Sequence, residues 1–456
     1  MIQMNLQQLA DAVRGRLEGT PDTAFEGVFT DTRNPRPGAL FIALKGPSFD
    51  AHDHVEATLP AAALLVERPL DLPQPQVVVT DTREALGHLA RHWRRRSRAR
   101  VLALTGSNGK TTTKEMLRCI LETAGSVHAT AGNLNNEIGV PLTLLAMPEN
   151  TDYAVIEMGA NHAGEIERMA RWTEPQVALI TNAGRAHLEG FGSLEGVAHA
   201  KAEIFSGLPA QGGTAVINLD DRFADYWLSL NEHHHCQRFS LEGGGEVEGM
   251  WSAPDRLRLS ILGAGRDVSL ASPGRHVAAN AVAAAATANA VGMGIDRIVT
   301  GLERWQPMQG RLQELWHGSG ARIWDDSYNA NPDSLRAALE VLAAMPGRRV
   351  LVLGTMAELG AGEQALHAEM GQLARSVGIE HCLVVGEAAR PAAEAFGPDG
   401  EGFEDHAALL ARLELLLDAR TTVLVKGSRE QHMERIVRSL VPAPPGSEVA
   451  NAVRTD

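Results

Sequence analysis

The sequence predicts an α/β protein of three domains, and three observations support this prediction. The chain has 456 residues, 44% of them hydrophobic and 21% charged, which suits several packed cores rather than a disordered chain. From residue 99, short apolar stretches rich in β-branched residues alternate with helical stretches. This alternation pauses near residue 310 and then resumes. We therefore predict domains over residues 1–98, 99–310 and 311–456.

The first predicted domain is a small mixed α/β domain. Residues 1–17 show the spacing of an amphipathic helix, with apolar side chains at Leu6, Leu9, Ala10, Val13 and Leu17. Short strands such as ALFIAL and QVVVT follow, separated by proline-rich turns. The segment TDTR at 80–83 then begins a second helix, which Thr80 or Asp81 is placed to cap.

The second and third predicted domains are built around parallel sheets. In the central domain the strands RVLALTG, YAVIEMG, VALITN and TAVINLD alternate with helices, which predicts a mostly parallel sheet covered on both faces. Residues around 249–275 predict an added antiparallel section, and the alanine-rich stretch 276–295 predicts a buried helix rather than a membrane span. ARIWDDS, RRVLVLG, EHCLVVG and TTVLVKG predict a doubly wound C-terminal domain.

Composition argues against several classes of function. The formal charge is −14, whereas a nucleic-acid-binding protein usually presents a basic face. The one basic cluster, RHWRRRSRAR at 91–100, has two interpretations: an RNA contact, or the exposed end of a helix. The acidic charge predicts that the protein binds no nucleic acid. Three scattered cysteines and the absence of a signal peptide or apolar span predict a cytoplasmic protein that does not insert into membranes.

The segment LALTGSNGKTT (102–112) is an apolar strand, a glycine turn and the start of a helix. Backbone amides from Gly106 to Lys110 can surround an anion, Lys110 can reach terminal phosphates, and the Thr111 hydroxyl can bind Mg²⁺. Leu104 stands where the usual phosphate-loop pattern has glycine. A plain glycine turn with an incidental lysine is the alternative.

The chain contains only five lysines, at positions 45, 110, 114, 201 and 426, against 42 lysines and arginines together. Lys114 lies just over one turn after Lys110, and it faces either phosphate or substrate, or simply solvent. Lys201 shares a helix face with Val197 and Ile204, so either its amine is needed there or it is a surface lysine with a buried stem.

Two further side chains follow strands of the central domain. Glu157 ends YAVIE, and it is either a Mg²⁺ ligand or the partner of an arginine. His187 lies a few residues beyond VALITN, and it is either polar surface or part of a metal or phosphate site. Ligands of open α/β sheets gather at this edge of the strands.

Over about residues 4–440 the chain resembles the Mur ligases, on segments that occur in the family's order: TGSNGKTTTKEM, TAGNLNNEIGVPLTLL, AVIEMGANHAGEI, AKAEIFSGL, PGRHVAANAVAAAA, DDSYNANP and LVKGSR. TDTRNPRPGALFIALKG, FDAHDHV and MAELG resemble the branch that adds D-alanyl-D-alanine to UDP-N-acetylmuramoyl-tripeptide. The resemblance implies a monomeric ligase of peptidoglycan precursor synthesis, in which ATP phosphorylates a carboxylate and an amine attacks the acyl phosphate.

The resemblance also implies roles for individual residues. ATP is expected to contact Gly106, Ser107, Asn108, Gly109, Lys110, Thr111, Thr112, Asn280, Arg311 and Asp326. Mg²⁺ is expected to be bound by Thr111, Glu157, His187 and Lys201, with Lys201 open to carbamylation by CO₂. The expected catalytic residues are Lys110, Glu157, His187, Lys201 and Arg311.

For the other substrates, the resemblance implies a UDP-sugar site in the N-terminal domain and a C-terminal domain that closes over ATP and binds the dipeptide. The implied substrate contacts are Thr32, Arg33, Lys45, Asn133, Asn135, Asn136, Tyr328, Asn329 and Lys426. Two positions depart from the family pattern: Val277 replaces an asparagine, and Thr355 stands where aspartate is common.

Two alternatives remain open at the level of sequence. Another amide ligase of the same superfamily, such as a diaminopimelate- or lysine-adding Mur ligase or a folylpolyglutamate synthase, would keep the ATP chemistry and change the acceptor. A regulatory nucleotide-binding protein is the alternative of a different class, although the chain has no guanine-reading NKxD segment.

Overall fold

A computed structural model describes residues 1–58 and 60–441 of the protein, and these residues form two compact units. The first unit comprises Met1–Gly184, Gly190–Leu270 and Ala278–Trp305. The second comprises Arg185–Glu189, Ala271–Val277 and the described residues from Gln306 onward. The α/β class is confirmed, whereas the domain boundaries at 98 and 310 stay a prediction. Residues 442–456 of the predicted C-terminal domain lie outside the described residues.

The first unit contains three sheets. Its strands, in chain order, are β1 Gln3–Asn5, β2 Arg16–Glu18, β3 Ala24–Glu26, β4 Val28–Phe29, β5 Leu40–Ile42, β6 Ala63–Val66, β7 Gln76–Val78, β8 Arg100–Thr105, β9 Val127–Ala129, β10 Tyr153–Glu157, β11 Val177–Ile180, β12 Thr214–Asn218, β13 His235–Ser240, β14 Val247–Ala253, β15 Arg256–Ile261 and β16 Ala264–Ser269. β1 pairs with β3, and a five-stranded sheet has the order β2-β7-β6-β5-β4. The nine-stranded sheet has the order β16-β15-β14-β13-β12-β11-β8-β10-β9.

The large sheet confirms the predicted mixture of parallel and antiparallel strands. The strands from β14 to β9 run parallel, whereas β15 and β16 continue the sheet as an antiparallel hairpin. β8 lies between β10 and β11, so the loop after β8 has a strand end on each side.

Ten helices begin before residue 305. They are α1 Leu6–Val13, α2 Thr82–Arg96, α3 Lys110–Leu121, α4 Gly139–Ala146, α5 Glu165–Thr173, α6 Leu188–Phe191, α7 Leu194–Ala202, α8 Ala224–Leu230, α9 Arg275–Ala290 and α10 Ile295–Arg304. Asp81 caps α2 by accepting hydrogen bonds from the backbone N–H groups of Arg83 and Glu84, as the sequence predicted. The predicted first helix is wrong at its end: α1 stops at Val13, Arg14 adopts φ 55°, and Leu17 belongs to β2.

One apolar core joins the N-terminal segment to the large sheet. It extends from Ile2 through α1 and α2 to residues of β8, β10 and β11. Trp93 of α2 is buried in this core, and its indole N–H donates to Met147 O at 3.0 Å. Residues 1–98 therefore pack as one body with the central sheet.

The second unit is organised around a six-stranded sheet of order β17-β18-β22-β19-β20-β21, in which β17 alone runs antiparallel to its neighbour. The strands are β17 Gln313–Trp316, β18 Arg322–Asp326, β19 Arg348–Gly354, β20 His381–Val385, β21 Gly400–Phe403 and β22 Thr421–Lys426. The helices are α11 Pro332–Ala343, α12 Glu363–Ser376, α13 Arg390–Phe396, α14 His406–Glu414 and α15 Glu434–Leu440.

The alanine-rich helix α9 is buried along most of its length, which confirms the prediction of an internal helix. Alanine side chains let neighbouring elements approach closely and have no rotamer entropy to lose. Each helix in the described part of the chain is too short or too polar to cross a membrane.

Candidate active site

The loop after β8 is shaped by two glycines in left-handed backbone conformations. Gly106 has φ 150° and Gly109 has φ 80°. A Cβ atom at Gly106 would collide with Thr181 Oγ1, and one at Gly109 would collide with Asn280 Oδ1. The backbone therefore passes between these side chains, which leaves only glycine acceptable at both positions.

The loop is held from one side by residues that follow β11. Ser107 N donates to Asn182 O at 3.0 Å, and Asn108 N donates to Asn182 Oδ1 at 3.0 Å. Ser107 Oγ donates to Gly184 O at 3.1 Å. Asn182 is not among the predicted site residues, although it follows an apolar strand. The same position after a strand marked Glu157 and His187 as candidates.

Lys110 begins α3 and folds back over the loop. Its Nζ donates to Gly106 O at 2.7 Å and to Ser107 O at 3.3 Å. These contacts keep a cation next to the backbone amides of the loop and the N-terminus of α3. Together these groups favour a bound anion.

Glu157 ends β10 with its carboxylate buried beside α3. Its Oε1 accepts hydrogen bonds from Asn135 Nδ2 at 2.8 Å and from Thr111 Oγ1 at 3.3 Å. Its Oε2 is buried and accepts no hydrogen bond from the described residues. A buried carboxylate oxygen without a donor is costly in an apo protein and is suited to a cation.

The nearest cation to that oxygen is Lys114, whose Nζ lies 3.9 Å from Glu157 Oε2. Lys114 is fully buried, donates to Thr130 O at 2.7 Å and pairs with Glu115 at 3.1 Å. Its amine thus faces neither solvent nor the loop. The charge partner of Glu157 is a lysine from the neighbouring helix, not the arginine that sequence analysis considered.

Lys201 lies on α7, and only 1% of the residue is exposed. Its Nζ lies 5.1 Å from the ring centre of Phe191. Burial, followed by the charge of Lys110, lowers the pKa of Lys201 to about 7, against opposing effects of Glu203 and Glu165. The surface-lysine interpretation is therefore wrong for Lys201.

His187 belongs to the second compact unit, unlike Lys110, Thr111, Glu157 and Lys201. It has φ 55°, and its Nδ1 pairs with the carboxylate of Glu358, which itself has φ 62°. Arg185 holds the same short segment, because its Nε and backbone N bind Asp333 at 2.9 and 2.6 Å. Glu358 lies in the MAELG segment, where no pattern marked it as a partner for a histidine.

Strand ends of the second unit gather the predicted C-terminal residues. Lys426 ends β22, is 2% exposed, and donates to Asp326 Oδ2 at 2.5 Å and to Asn329 O at 2.9 Å. Arg311 lies over the ring of Tyr328, with Cζ 3.9 Å from the ring centre. Asp325 is fully buried and supports this arrangement by accepting a hydrogen bond from Gly310 N at 3.1 Å.

The remaining predicted substrate residues belong to the first unit. Arg33 Nε pairs with Asp31 Oδ1 at 3.0 Å, and that bond lowers the pKa of Asp31 despite partial burial. Lys45 is exposed near Phe49, whose ring stacks on His54 at 4.8 Å. Asn136 Oδ1 accepts from Gly139 N at 2.8 Å at the start of α4, and Asn133 is exposed.

Thr111 and Glu157 suit a Mg²⁺ ion that takes only a few of its ligands from the protein. Within the described ranges no group of three or more His, Cys, Asp or Glu side chains is placed to bind a metal ion. Mg²⁺ commonly takes one or two protein oxygens and completes its coordination with substrate phosphates and water. The Thr111 hydroxyl and the Glu157 carboxylate, next to an anion-binding loop, fit that mode.

Two family models match the chain: the Mur ligase middle domain over residues 104–288 and the Mur ligase glutamate ligase domain over residues 310–429. The chain is 47% identical over 449 residues to the Escherichia coli K12 protein called UDP-N-acetylmuramoyl-tripeptide–D-alanyl-D-alanine ligase, and this match covers 96% of the chain and 99% of that protein.

Solved structures agree with the sequence matches. A crystal structure of MurF from Acinetobacter baumannii matches with a TM-score of 0.91 and 37% identity, covering 96% of this chain and 99% of that one. The crystal structure of MurF ligase from Thermotoga maritima in complex with ADP matches with a TM-score of 0.81 and 27% identity, covering 91% and 97%.

Proposed function

Because this chain belongs to the Mur ligase family, we propose that it joins D-alanyl-D-alanine to UDP-N-acetylmuramoyl-tripeptide at the expense of ATP. The observation that carries the proposal is 47% identity to the E. coli ligase of that name over nearly the whole length of both chains. The reaction forms one amide bond, releases ADP and phosphate, and belongs to peptidoglycan precursor synthesis.

The chemistry requires two anions to meet. The tripeptide carboxylate takes the γ-phosphoryl group of ATP, the dipeptide amine then attacks the carbonyl carbon, and phosphate leaves as the amide forms. The loop amides and Lys110 offset the negative charge of the phosphates, which is the main task of a protein in phosphoryl transfer. The ADP complex of the T. maritima relative supports the use of an adenine nucleotide by this chain.

Thr111 and Glu157 are the proposed protein ligands of Mg²⁺, and the buried Oε2 atom of Glu157 supports this role. When bound, Mg²⁺ supplies positive charge at the phosphate oxygens. Asn135 orients Glu157 through its 2.8 Å hydrogen bond, and Lys114 Nζ lies 3.9 Å from Glu157 Oε2. His187 remains a proposed ligand on resemblance to the family.

Lys201 is proposed to carry a carbamate. The ammonium group first loses one proton, and the neutral amine then attacks CO₂. A nitrogen–carbon bond forms as one carbon–oxygen π bond opens, and a second proton leaves the nitrogen, which turns a buried cation into an anionic oxygen ligand. The burial of Lys201 and the position of its amine beside the Phe191 ring support this role. A guanidinium stays protonated in proteins and does not undergo this conversion.

Asn280, Arg311 and Asp326 are the proposed nucleotide contacts outside the loop. Asn280 lies against Gly109, which is consistent with a place beside bound nucleotide. Thr32, Arg33 and Lys45 are proposed for the UDP-sugar, and Asn133, Asn135 and Asn136 for the peptide. Closure of residues 311–456 over ATP stays a prediction. The monomeric state and the cytoplasmic location of the protein are also predictions.

A panel of amine acceptors tests the proposal against other amide ligases of the superfamily. We expect phosphate release in the presence of UDP-N-acetylmuramoyl-tripeptide and D-alanyl-D-alanine, and little with lysine, diaminopimelate or glutamate. Turnover with a single amino acid but not with the dipeptide would assign the chain to a different ligase. Both tripeptide forms, with lysine or diaminopimelate at the third position, belong in the panel.

A further inference from the structure

The dipeptide acceptor carries a carboxylate at its far end, and Lys426 is one of the cations among the substrate contacts that the family resemblance implies. In the structure Lys426 is buried, and its Nζ is already committed to Asp326 Oδ2 at 2.5 Å and Asn329 O at 2.9 Å. Those bonds join the ends of β18 and β22, where Asp326 and Lys426 are paired in register. A buried cation neutralised in this way has little charge to offer a substrate.

Three residues further along the chain, Arg429 presents a cation that is accessible. Its side chain is 62% exposed, and its nearest carboxylate partner is Glu434, with Nη1 3.7 Å from Glu434 Oε1. Its Cζ lies 5.7 Å from the ring centre of Tyr328. Arg311 approaches the same ring to 3.9 Å. Both guanidinium groups thus lie within about 6 Å of the Tyr328 ring, the usual range of a cation–π contact.

The loop that carries Arg429 is held firmly to its neighbours. Ser428 N donates to Thr355 O at 3.0 Å, and Ser428 Oγ accepts from Ala357 N at 2.7 Å. The same hydroxyl donates to Ala330 O at 3.5 Å. Ser428 thus connects three strand-end loops of the second unit, so the base of the Arg429 side chain has a fixed position relative to Tyr328.

We propose that Arg429, set beside the Tyr328 ring, binds the terminal carboxylate of the D-alanyl-D-alanine acceptor and so determines acceptor specificity. A guanidinium can bind a carboxylate through two parallel hydrogen bonds, and a tyrosine face can pack against an alanine methyl group. This inference rests on the proposed function. It assigns the carboxylate contact to Arg429 rather than to Lys426.

The test compares D-alanyl-D-alanine with its C-terminal amide, which keeps the amine and both methyl groups but lacks the charge. We expect the wild-type chain to prefer the acid. In Arg429→Ala, the KM for the acid should rise by roughly tenfold to a hundredfold, as expected for a lost charge-assisted hydrogen bond. The preference for acid over amide should then fall towards one, with the KM for ATP unchanged.

Arg429→Lys keeps the charge without the paired geometry and should retain part of the preference. Arg438→Ala, which removes an exposed arginine from α15, is the matched control and should behave as wild type. A full acid preference in both Arg429 variants would overturn the inference. A wild-type chain that used neither acceptor would instead contradict the proposed function.

Discussion

Three of the five lysines have buried side chains, at positions 114, 201 and 426, and each has a different surrounding. Lys114 lies near Glu157, Lys426 is bonded to Asp326, and Lys201 faces an aromatic ring. A lysine amine is compact and can lose its proton, whereas a guanidinium is bulky and permanently charged. In a chain that otherwise uses arginine, these properties explain why lysine occurs at these positions.

Lys201 gives the sharpest prediction at this scale. With ¹³C-labelled bicarbonate, the wild-type chain should show a carbamate carbon signal by NMR at a pH about one unit above the Lys201 pKa of about 7, where most of the amine is neutral. Lys201→Arg should lack that signal and lose nearly all ligase activity. A thermal unfolding curve and ADP binding provide the controls that the variant is folded. Persistence of the signal in the variant would place the carbamate elsewhere.

Single residues also mark the limit of prediction from sequence. The strand–loop–helix pattern was sufficient to predict that Lys110 and Thr111 begin a helix directly after a glycine-shaped loop, because glycine conformation and helix starts are local properties. The pairing of His187 with Glu358 and that of Lys426 with Asp326 join residues 171 and 100 positions apart. Such distant pairs depend on tertiary packing, which no short pattern encodes.

At the scale of elements, the basic stretch 91–100 acquires a structural role. Glu174 follows α5 and accepts hydrogen bonds from Arg91 Nε at 2.8 Å and from Arg95 Nε at 2.8 Å. Arg94 is buried and donates to Thr173 O at 3.1 Å. These arginines connect α2 to α5. The stretch keeps exposed side chains, Arg95 among them, as one of its two interpretations predicted, and it also packs against α5 through Arg94.

Glu174→Gln should lower the free energy of unfolding by about 1 kcal/mol at neutral pH, since Glu174 is only partly exposed and pairs with two arginines. Although burial raises the pKa of Glu174, hydrogen bonds from Arg95 and Arg91 lower it overall. The contribution of Glu174 to the free energy of unfolding is therefore fully present above the ordinary glutamate pKa. It is lost as the pH falls through the lowered pKa of the folded state.

Urea unfolding at neutral pH and at about pH 3 measures this difference. Glu149→Gln is the matched control, because Glu149 is 59% exposed and its pair with Arg96 is long, at 3.5 Å. An equal loss of stability in both variants, or a Glu174→Gln effect that does not shrink in acid, would contradict the proposed connection between the helices.

At the scale of the whole molecule, the α/β class and the mostly parallel central sheet followed from composition and periodicity, whereas the order of strands within each sheet did not. The antiparallel hairpin β15–β16 and the buried helix α9 were likewise predicted from local pattern. The grouping of residues 185–189 with the second unit was not, because that segment follows a strand of the large sheet and its partners Asp333, Glu358 and Glu369 lie far along the chain.

The central claim is that ATP cleavage by this chain is coupled to one amide bond. The most direct measurement counts ADP and ligated product together, by chromatography and mass spectrometry, with ATP, Mg²⁺, UDP-N-acetylmuramoyl-tripeptide and D-alanyl-D-alanine. We predict one ADP for each added dipeptide and only slow ADP formation when either acceptor or tripeptide is left out. Rapid ADP release without the dipeptide, or ADP release without a product heavier by one dipeptide, would contradict the account.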